Sequence, residues 1–186
     1  MDILGRKLFG KTLFYPGCLL KHSAKNLLEN YEKILSQLGV SYVKLDGVER
    51  CCGLPALNAG YPDDFTALVD SNMQVFKDQG VSRIITVCPE CYFTFANYYA
   101  KLKVEHVTQV IARNLNKVMP KTFAEEPEEI TYYDPCYLGR KSGIYHEPRE
   151  ILQHLGYVVK ELKDNRENAM CCGAGGGLKE NSPKIA

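Results

Sequence analysis

Charge of one sign is what this chain most plainly lacks. Its 23 Lys and Arg are set against 22 Asp and Glu, for a formal net charge of +1. Such a balance leaves no electrostatic footprint for nucleic acid or an anionic membrane surface, so neither partner is expected. No apolar run approaches the roughly 20 residues of a membrane-spanning helix. The start, Met1 to Gly10, mixes Asp2, Arg6 and Lys7 into its apolar residues and so lacks the apolar core of a secretory signal. The expectation is a cytoplasmic protein, where disulfide staples are rare.

Against those absences stand eight cysteines. In a reducing compartment thiols serve metals or redox chemistry more often than structural bridges. The remaining composition, 45% apolar and 24% charged, is that of an ordinary globular chain. At 186 residues it has room for one domain or two small ones.

The cysteines are grouped around Cys51-Cys52-Gly53. Cys18 precedes that pair, and a Cys-Pro-Glu-Cys turn, Cys88 and Cys91, follows it. Five thiols thus make one constellation. A second begins with Cys136 and repeats the pair as Cys171-Cys172-Gly173, but its Cys-x-x-Cys is absent.

Hydrophobic patterning suggests how the first five are brought together. Thr12 to Tyr15 reads as a buried strand ended by Pro16-Gly17, with Cys18 just beyond it. Ser23 to Leu38 carries Leu27, Leu28, Tyr31, Ile34, Leu35 and Leu38 at helical spacing, with Ser23 as N-cap and Gly39 as stop. Ser41 to Leu45 reads as a second strand, Asp63 to Gln79 as a helix closed by Gly80, and Val81 to Val87 as a third strand. A helix opens at the Cys-Pro-Glu-Cys turn and carries aromatics from Tyr92 to Tyr99, read as core packing. Val104 to Val118 reads as one more amphipathic helix.

Alternating strands and helices with short connections predict an α/β fold with a parallel, Rossmann-like sheet. Ligand crevices in such sheets lie outside the strands' carboxyl ends. Each thiol group follows a strand, so one folding rule gathers all five at one rim.

The second half echoes the first at an offset of about 120 positions. Tyr132-Tyr-Asp-Pro-Cys136 matches Phe14-Tyr-Pro-Gly-Cys18, and Ile151 to Gly156 matches Ile34 to Gly39. This predicts tandem duplicated repeats: residues 1–119, an acidic Pro-containing linker at 120–129, and residues 130–186. By the same offset the partner of Cys88 would fall beyond Ala186, so the second repeat is expected to be incomplete.

Soft thiolates select zinc, copper(I) or iron with sulfide. Five clustered thiols overfill a closed tetrahedral zinc site, and adjacent cysteines suit a group with more than one metal atom. An iron-sulfur cluster fits the count better, with zinc and direct thiol chemistry at Cys88 and Cys91 left as alternatives.

The arrangement Cys18, Cys51-Cys52-Gly53, Cys88-Pro-Glu-Cys91, begun again at Cys136 and Cys171-Cys172-Gly173, resembles the cysteine-rich CCG domain found in B-type subunits of heterodisulfide reductase and their relatives. Those relatives include iron-sulfur subunits of anaerobic glycerol-3-phosphate, glycolate and lactate oxidation. The resemblance implies an oxidoreductase component that carries electrons or reduces a disulfide within a multi-subunit complex. Its cofactor would be a [4Fe-4S] cluster, noncubane in some members, held by Cys18, Cys51, Cys52, Cys88 and Cys91, and in the second motif by Cys136, Cys171 and Cys172. It also implies a ferredoxin-like or flavin-containing electron donor as partner. A zinc-stabilised interaction module and an electron-transfer component of a quinone-linked 2-hydroxyacid or glycerol-3-phosphate dehydrogenase remain the alternatives.

Gly53 and Gly173 are expected to line the cofactor, where a side chain would collide or the backbone needs positive φ. The glycines from Gly173 to Gly177 lack the Lys-Ser/Thr of a phosphate loop. His22, His106, His146 and His154 share no metal-ligand spacing, and only His22 lies close in sequence to a cysteine turn. Lys21, Arg50, Arg140 and Lys141 flank the cysteine loops and could offset thiolate charge.

Overall fold

The computed structural model of the chain describes residues 10–118 and 127–185. It forms two compact units, Met1–His106 and Val107–Ala186. Both are α/β, and every strand pairing described is parallel. Among the described residues no helix is long and apolar enough to cross a membrane.

The first unit is built on β1 (Lys11–Tyr15), β2 (Val81–Thr86) and β3 (Lys103–His106), which pair in that order. Leu13, Phe14, Ile84 and Ile85 are fully buried, so β1 and β2 read as near-continuous apolar runs, as strands covered on both faces must. Helices α1 (Cys18–His22) and α2 (Lys25–Gln37) follow β1. Then come α3 (Leu54–Asn58) and α4 (Pro62–Gln79), which leads into β2, and α5 (Pro89–Tyr98), which leads into β3. α4 carries Asp63 and Asp64 in its first turn and Lys77 in its last, each complementing the helix dipole. Gly80 ends it at φ 69°, a conformation that suits glycine. Phe95 at the centre packs edge-on against Tyr15 (4.8 Å) and Tyr99 (4.6 Å).

Three sequence expectations are corrected here. The strand expected at Ser41–Leu45 contracts to a single bridge, Val43 against Leu13, with Phe14 N–H donating to Val43 O (3.0 Å) and Val43 N–H to Thr12 O (2.8 Å). The chain cannot extend it, because Leu45 O already accepts from Val48 and Glu49 N–H in a turn containing Gly47 at φ 84°. The bridge still puts this segment beside β1 on the side away from β2, giving the spatial order Val43 segment, β1, β2, β3. The helix expected over Ser23–Leu38 starts at Lys25, and Ser23 instead caps the end of α1, with Leu27 on the exposed side.

The helix expected over Val104–Val118 is divided. Lys103–His106 pairs with β2 as a strand, with Arg83 Nε 2.5 Å from Glu105 Oε2 across the ladder, and a short helix follows it. The edge of β2 offered backbone partners that outweighed local helical spacing, a tertiary override of propensity.

The second unit contains α6 (Val107–Ala112), β4 (Glu129–Thr131), α7 (His146–His154), β5 (Val158–Lys160) and α8 (Leu178–Asn181). β4 pairs with β5, and α6 packs on α7, so α6 belongs with this unit. Of the acidic linker expected at 120–129, residues 120–126 lie outside the described residues.

An ion-pair network centred on buried Arg149 and Asp134 ties this unit together. Arg149, on α7, donates both terminal nitrogens to Asp134 (2.8 Å each) and reaches Glu161 from Nε (2.6 Å) and Nη2 (2.8 Å). Its guanidinium lies 5.0 Å from the Tyr132 ring centre. Asp134 Oδ2 also accepts from Arg166 N–H (2.7 Å), which sits at φ 50°. Together these bonds join the end of β4, α7 and the segment after β5. The Arg149 hydrogen bonds hold the Asp134 carboxyl below its usual range.

Arg149→Met should therefore cost roughly 3–5 kcal/mol, because it leaves the Asp134 carboxylate buried without its cation. Denaturant titration of the full chain would measure this. Since the Asp134 pKa is depressed on folding, its contribution is complete above the ordinary carboxylate value of about 3.9. It should fade only as pH falls below that value.

Candidate metal centre

The turns that follow β1 and β2 open side by side, because Tyr15 pairs with Thr86 at the ends of two parallel strands. Cys18 begins α1, Cys88 caps α5, and Cys91 sits in the first turn of α5. Cys51 and Cys52 stand in the loop before α3. The fold brings all five together. Their sulfurs form one continuous run, in which Cys18 and Cys52 hydrogen-bond to Cys51, Cys91 to Cys52, and Cys91 to Cys88. The Cys91 Sγ to Cys52 Sγ distance is 3.5 Å.

Burial is graded along this run. Cys52 and Cys91 are each 2% exposed, Cys51 and Cys88 are half-buried, and Cys18 faces solvent. All eight cysteines of the chain are free. A cavity of about 130 Å³ opens beside the outer sulfurs, lined by Tyr15, Gly17, Cys18, Lys21, His22 and Cys51 among others. His22 thus lines the opening beside the outer sulfurs.

The sulfurs differ in acidity because each thiolate needs neighbouring donors. Cys51 is held down to about 2, first by the Cys18 thiol, then by Cys52, with help from the Gly53 and Cys52 N–H groups. Cys88 is lowered to about 7, chiefly by the Cys91 thiol. Cys52 rises to about 12, first because it donates to Cys51, and Cys18 and Cys91 rise for the same kind of reason. Burial, followed by nearby cysteine charge, also pushes up the Tyr15 hydroxyl.

Two glycines shape the pocket. Gly17 has φ 86°, and a Cβ there would lie 3.0 Å from Cys88 Cβ and 3.6 Å from Cys91 Sγ. Gly53 has φ 95°, as its sequence position suggested, but a Cβ would meet Phe65 Cδ2 at 2.7 Å and not a sulfur. Gly53 is therefore required by backbone and core packing. Gly17 is the glycine against the thiols, and in the sequence only its place in the Pro16-Gly17 turn before Cys18 pointed to it.

The sequence also did not single out what holds the Cys51-Cys52 backbone. Asn72 and Tyr99, both buried, bond the Cys51 and Cys52 carbonyls, and Tyr15 OH donates to Arg50 O (2.7 Å). Asn72 had a readable signal: a polar residue on the inward stripe with Phe65, Val69 and Phe76. Tyr99 was read as packing alone. Among the flanking charges, Lys21 is paired with Glu49. His106 Nε2–H donates to Val87 O (2.8 Å), one residue before Cys88.

Cys136, Cys171 and Cys172 also come together in their own unit. The Cys136 thiol is raised by burial, then by Cys171 charge and a hydrogen bond to Cys171, with Cys172 also contributing. Cys171 and Cys172 are exposed, in contrast to the buried Cys52. Arg140 Nη2 donates to Ala169 O and Tyr133 OH to Met170 O, fixing the strand of chain that leads to the pair. Gly173 has φ 73°. Among the described residues, no three His, Cys, Asp or Glu side chains are grouped to hold a single metal ion.

This duplicated cysteine pattern is matched by the family described as "Cysteine-rich domain" (CCG), over residues 12–96 and 130–186. The chain belongs to the cysteine-rich CCG family. Its relatives include an EtfAB:quinone oxidoreductase of Syntrophomonas wolfei, 34% identical over 89% of this chain and 24% of that protein. An uncharacterized iron-sulfur protein of Methanocaldococcus jannaschii is 35% identical over 95% of this chain and 35% of the relative. The D subunit of a dihydromethanophenazine:CoB–CoM heterodisulfide reductase from Methanosarcina barkeri is 29% identical over 94% of this chain and 45% of that relative. The chain thus spans a quarter to a little under half the length of these relatives.

Gly53→Ala should destabilise the protein without added metal by about 1 kcal/mol or more, because alanine resists positive φ and its Cβ displaces Phe65. Gly17→Ala should instead perturb the thiols, and faster alkylation of Cys88 or Cys91 in the metal-free protein would register it.

Proposed function

We propose that this chain is an iron-sulfur electron-transfer part of a multi-subunit oxidoreductase, holding its cluster through Cys18, Cys51, Cys52, Cys88 and Cys91. The observation that carries this reading is the continuous run of five sulfurs at the carboxyl ends of parallel strands. A closed zinc site uses four ligands, and five thiols in one run suit a group of several metal atoms. Gly17 supports the fit, since its missing Cβ leaves the Cys88 and Cys91 side of the run open. The names of the relatives, iron-sulfur proteins and redox subunits among them, favour the same chemistry.

An iron-sulfur cluster accepts and returns electrons singly, with its potential set by hydrogen bonds, charge and exposure. The chain's own residues supply those settings. Cys52 and Cys91 anchor the buried side and exclude water, and Cys18 faces solvent, where an electron partner can approach. The Gly53 N–H lies 3.5 Å from Cys51 Sγ and stabilises negative charge there. The backbone amides at the start of α5 do the same for Cys88.

In finer terms, we take the cofactor to be a [4Fe-4S] cluster, cubane or noncubane, and the activity to be transfer of electrons toward a disulfide in a reducing cytoplasm. Other subunits, including a ferredoxin-like or flavin-containing donor, would complete the complex. Within this chain the second motif offers three thiols, two of them exposed, so we assign stable cluster binding to the first motif.

Anaerobic reconstitution with iron and sulfide should give a brown protein that saturates near four irons per chain, about one [4Fe-4S] cluster. Cys52→Ala should lower the iron content. A colourless protein that takes up zinc alone would overturn the reading. Loading near twice that iron level, with Cys136, Cys171 and Cys172 each required, would extend it to the second motif.

A further inference from the structure

Residues 50–52 have no strand or helix to satisfy their backbone, yet four of their polar groups are taken by buried side chains from three separate elements. Asn72, on the inward face of α4 and fully buried, accepts from Arg50 N–H at Oδ1 (3.1 Å) and donates from Nδ2 to Cys51 O (2.9 Å). The same Nδ2 also donates to the Tyr99 hydroxyl (3.1 Å), which passes its own proton to Cys52 O (3.0 Å). Tyr15, at the end of β1, donates to Arg50 O (2.7 Å).

Asn72 thereby pairs with the loop as a neighbouring strand would, through one donor and one acceptor. A polar side chain wholly inside a helix's apolar face persists only when its bonds are made, and all of these are made to this loop or to Tyr99. Neither Asn72 nor Tyr99 is a thiol ligand in this geometry. Both act on the peptide groups that carry the sulfurs.

We infer that Asn72 and Tyr99 are positioning residues that fix the Cys51-Cys52 backbone before any metal arrives, and so set the electronic properties of the cluster bound there. The inference rests on the proposed cluster reading, but its first part concerns the metal-free fold alone. Outer hydrogen bonds of this kind orient ligands and tune the centre they hold. Tyr99→Phe is the milder probe, because it deletes only the two hydrogen bonds of the hydroxyl and keeps the ring packed on Phe95. Asn72→Leu removes the bonds to Arg50 N–H and Cys51 O.

Two measurements on the full chain test this. In the metal-free protein, amide exchange at Arg50 should speed up roughly tenfold or more in Asn72→Leu, while exchange in β2 changes only as global stability does. In reconstituted protein, Tyr99→Phe should retain iron but shift the electron paramagnetic resonance signal and the midpoint potential. Leu35→Ala, a core change on α2 away from the loop, should shift neither. Unchanged Arg50 exchange overturns the clamp. Faster exchange in Asn72→Leu, with a Tyr99→Phe signal and potential identical to the parent protein, overturns the tuning. If the parent protein takes up no iron and sulfide, the cluster reading fails, and the exchange experiment still decides whether the clamp exists.

Discussion

The parallel pairing of β1 with β2 is the constraint on which the first unit depends. Once Tyr15 stands opposite Thr86, the two chains leave the sheet in the same direction, and the turns bearing Cys18 and Cys88 must open at one rim. An antiparallel pairing would have sent them to opposite ends. The bridge from Val43 to Leu13 adds the third segment on the far side of β1, and the loop it leads into brings Cys51 and Cys52 to that rim. Sheet order places the site where the strand sequence changes direction, the position at which open α/β sheets gather ligands.

Convergence of strands brings thiols close, but it does not fix them. In the first unit that task falls to neutral hydrogen bonds from Asn72, Tyr99 and Tyr15, all in the apolar interior next to Phe76 and Phe95. The second unit reaches a comparable end with charge. There Arg149 binds Asp134, two residues before Cys136, in a buried bidentate pair. Neutral clamps leave the local field to the sulfurs themselves. A buried ion pair contributes its own field and depends on both partners remaining charged.

The run of sulfurs is also an electrostatic device in the metal-free protein. Thiolates cannot sit side by side at hydrogen-bond distance, and the two thiols pushed toward ionisation, Cys51 and Cys88, are separated by Cys52 and Cys91, which are pushed the other way. Burial of Cys52 and Cys91 would make further ionisation costly. A cationic metal group removes that conflict by compensating all the sulfurs at once, which is why a thiol-rich rim of this kind favours metal over free thiols.

The sequence by itself determined the duplication, the α/β class and the grouping of the thiols, because these depend on spacing and on periodic burial along a local stretch. Cys18, Cys51, Cys52, Cys88 and Cys91 could be named together since each follows a strand signal, and the long helix to Gln79 carried its own start and stop. Tertiary structure alone decided the rest. Ser41–Leu45 shrank to a bridge because a turn at Leu45 captured its carbonyl, and Lys103–His106 became a strand because β2 had an open edge. Asn72 and Tyr99 acquired their roles only when α4 and α5 folded against the loop between Arg50 and Cys52. Which side chains satisfy a buried backbone depends on residues distant in sequence, and no local pattern encodes that pairing.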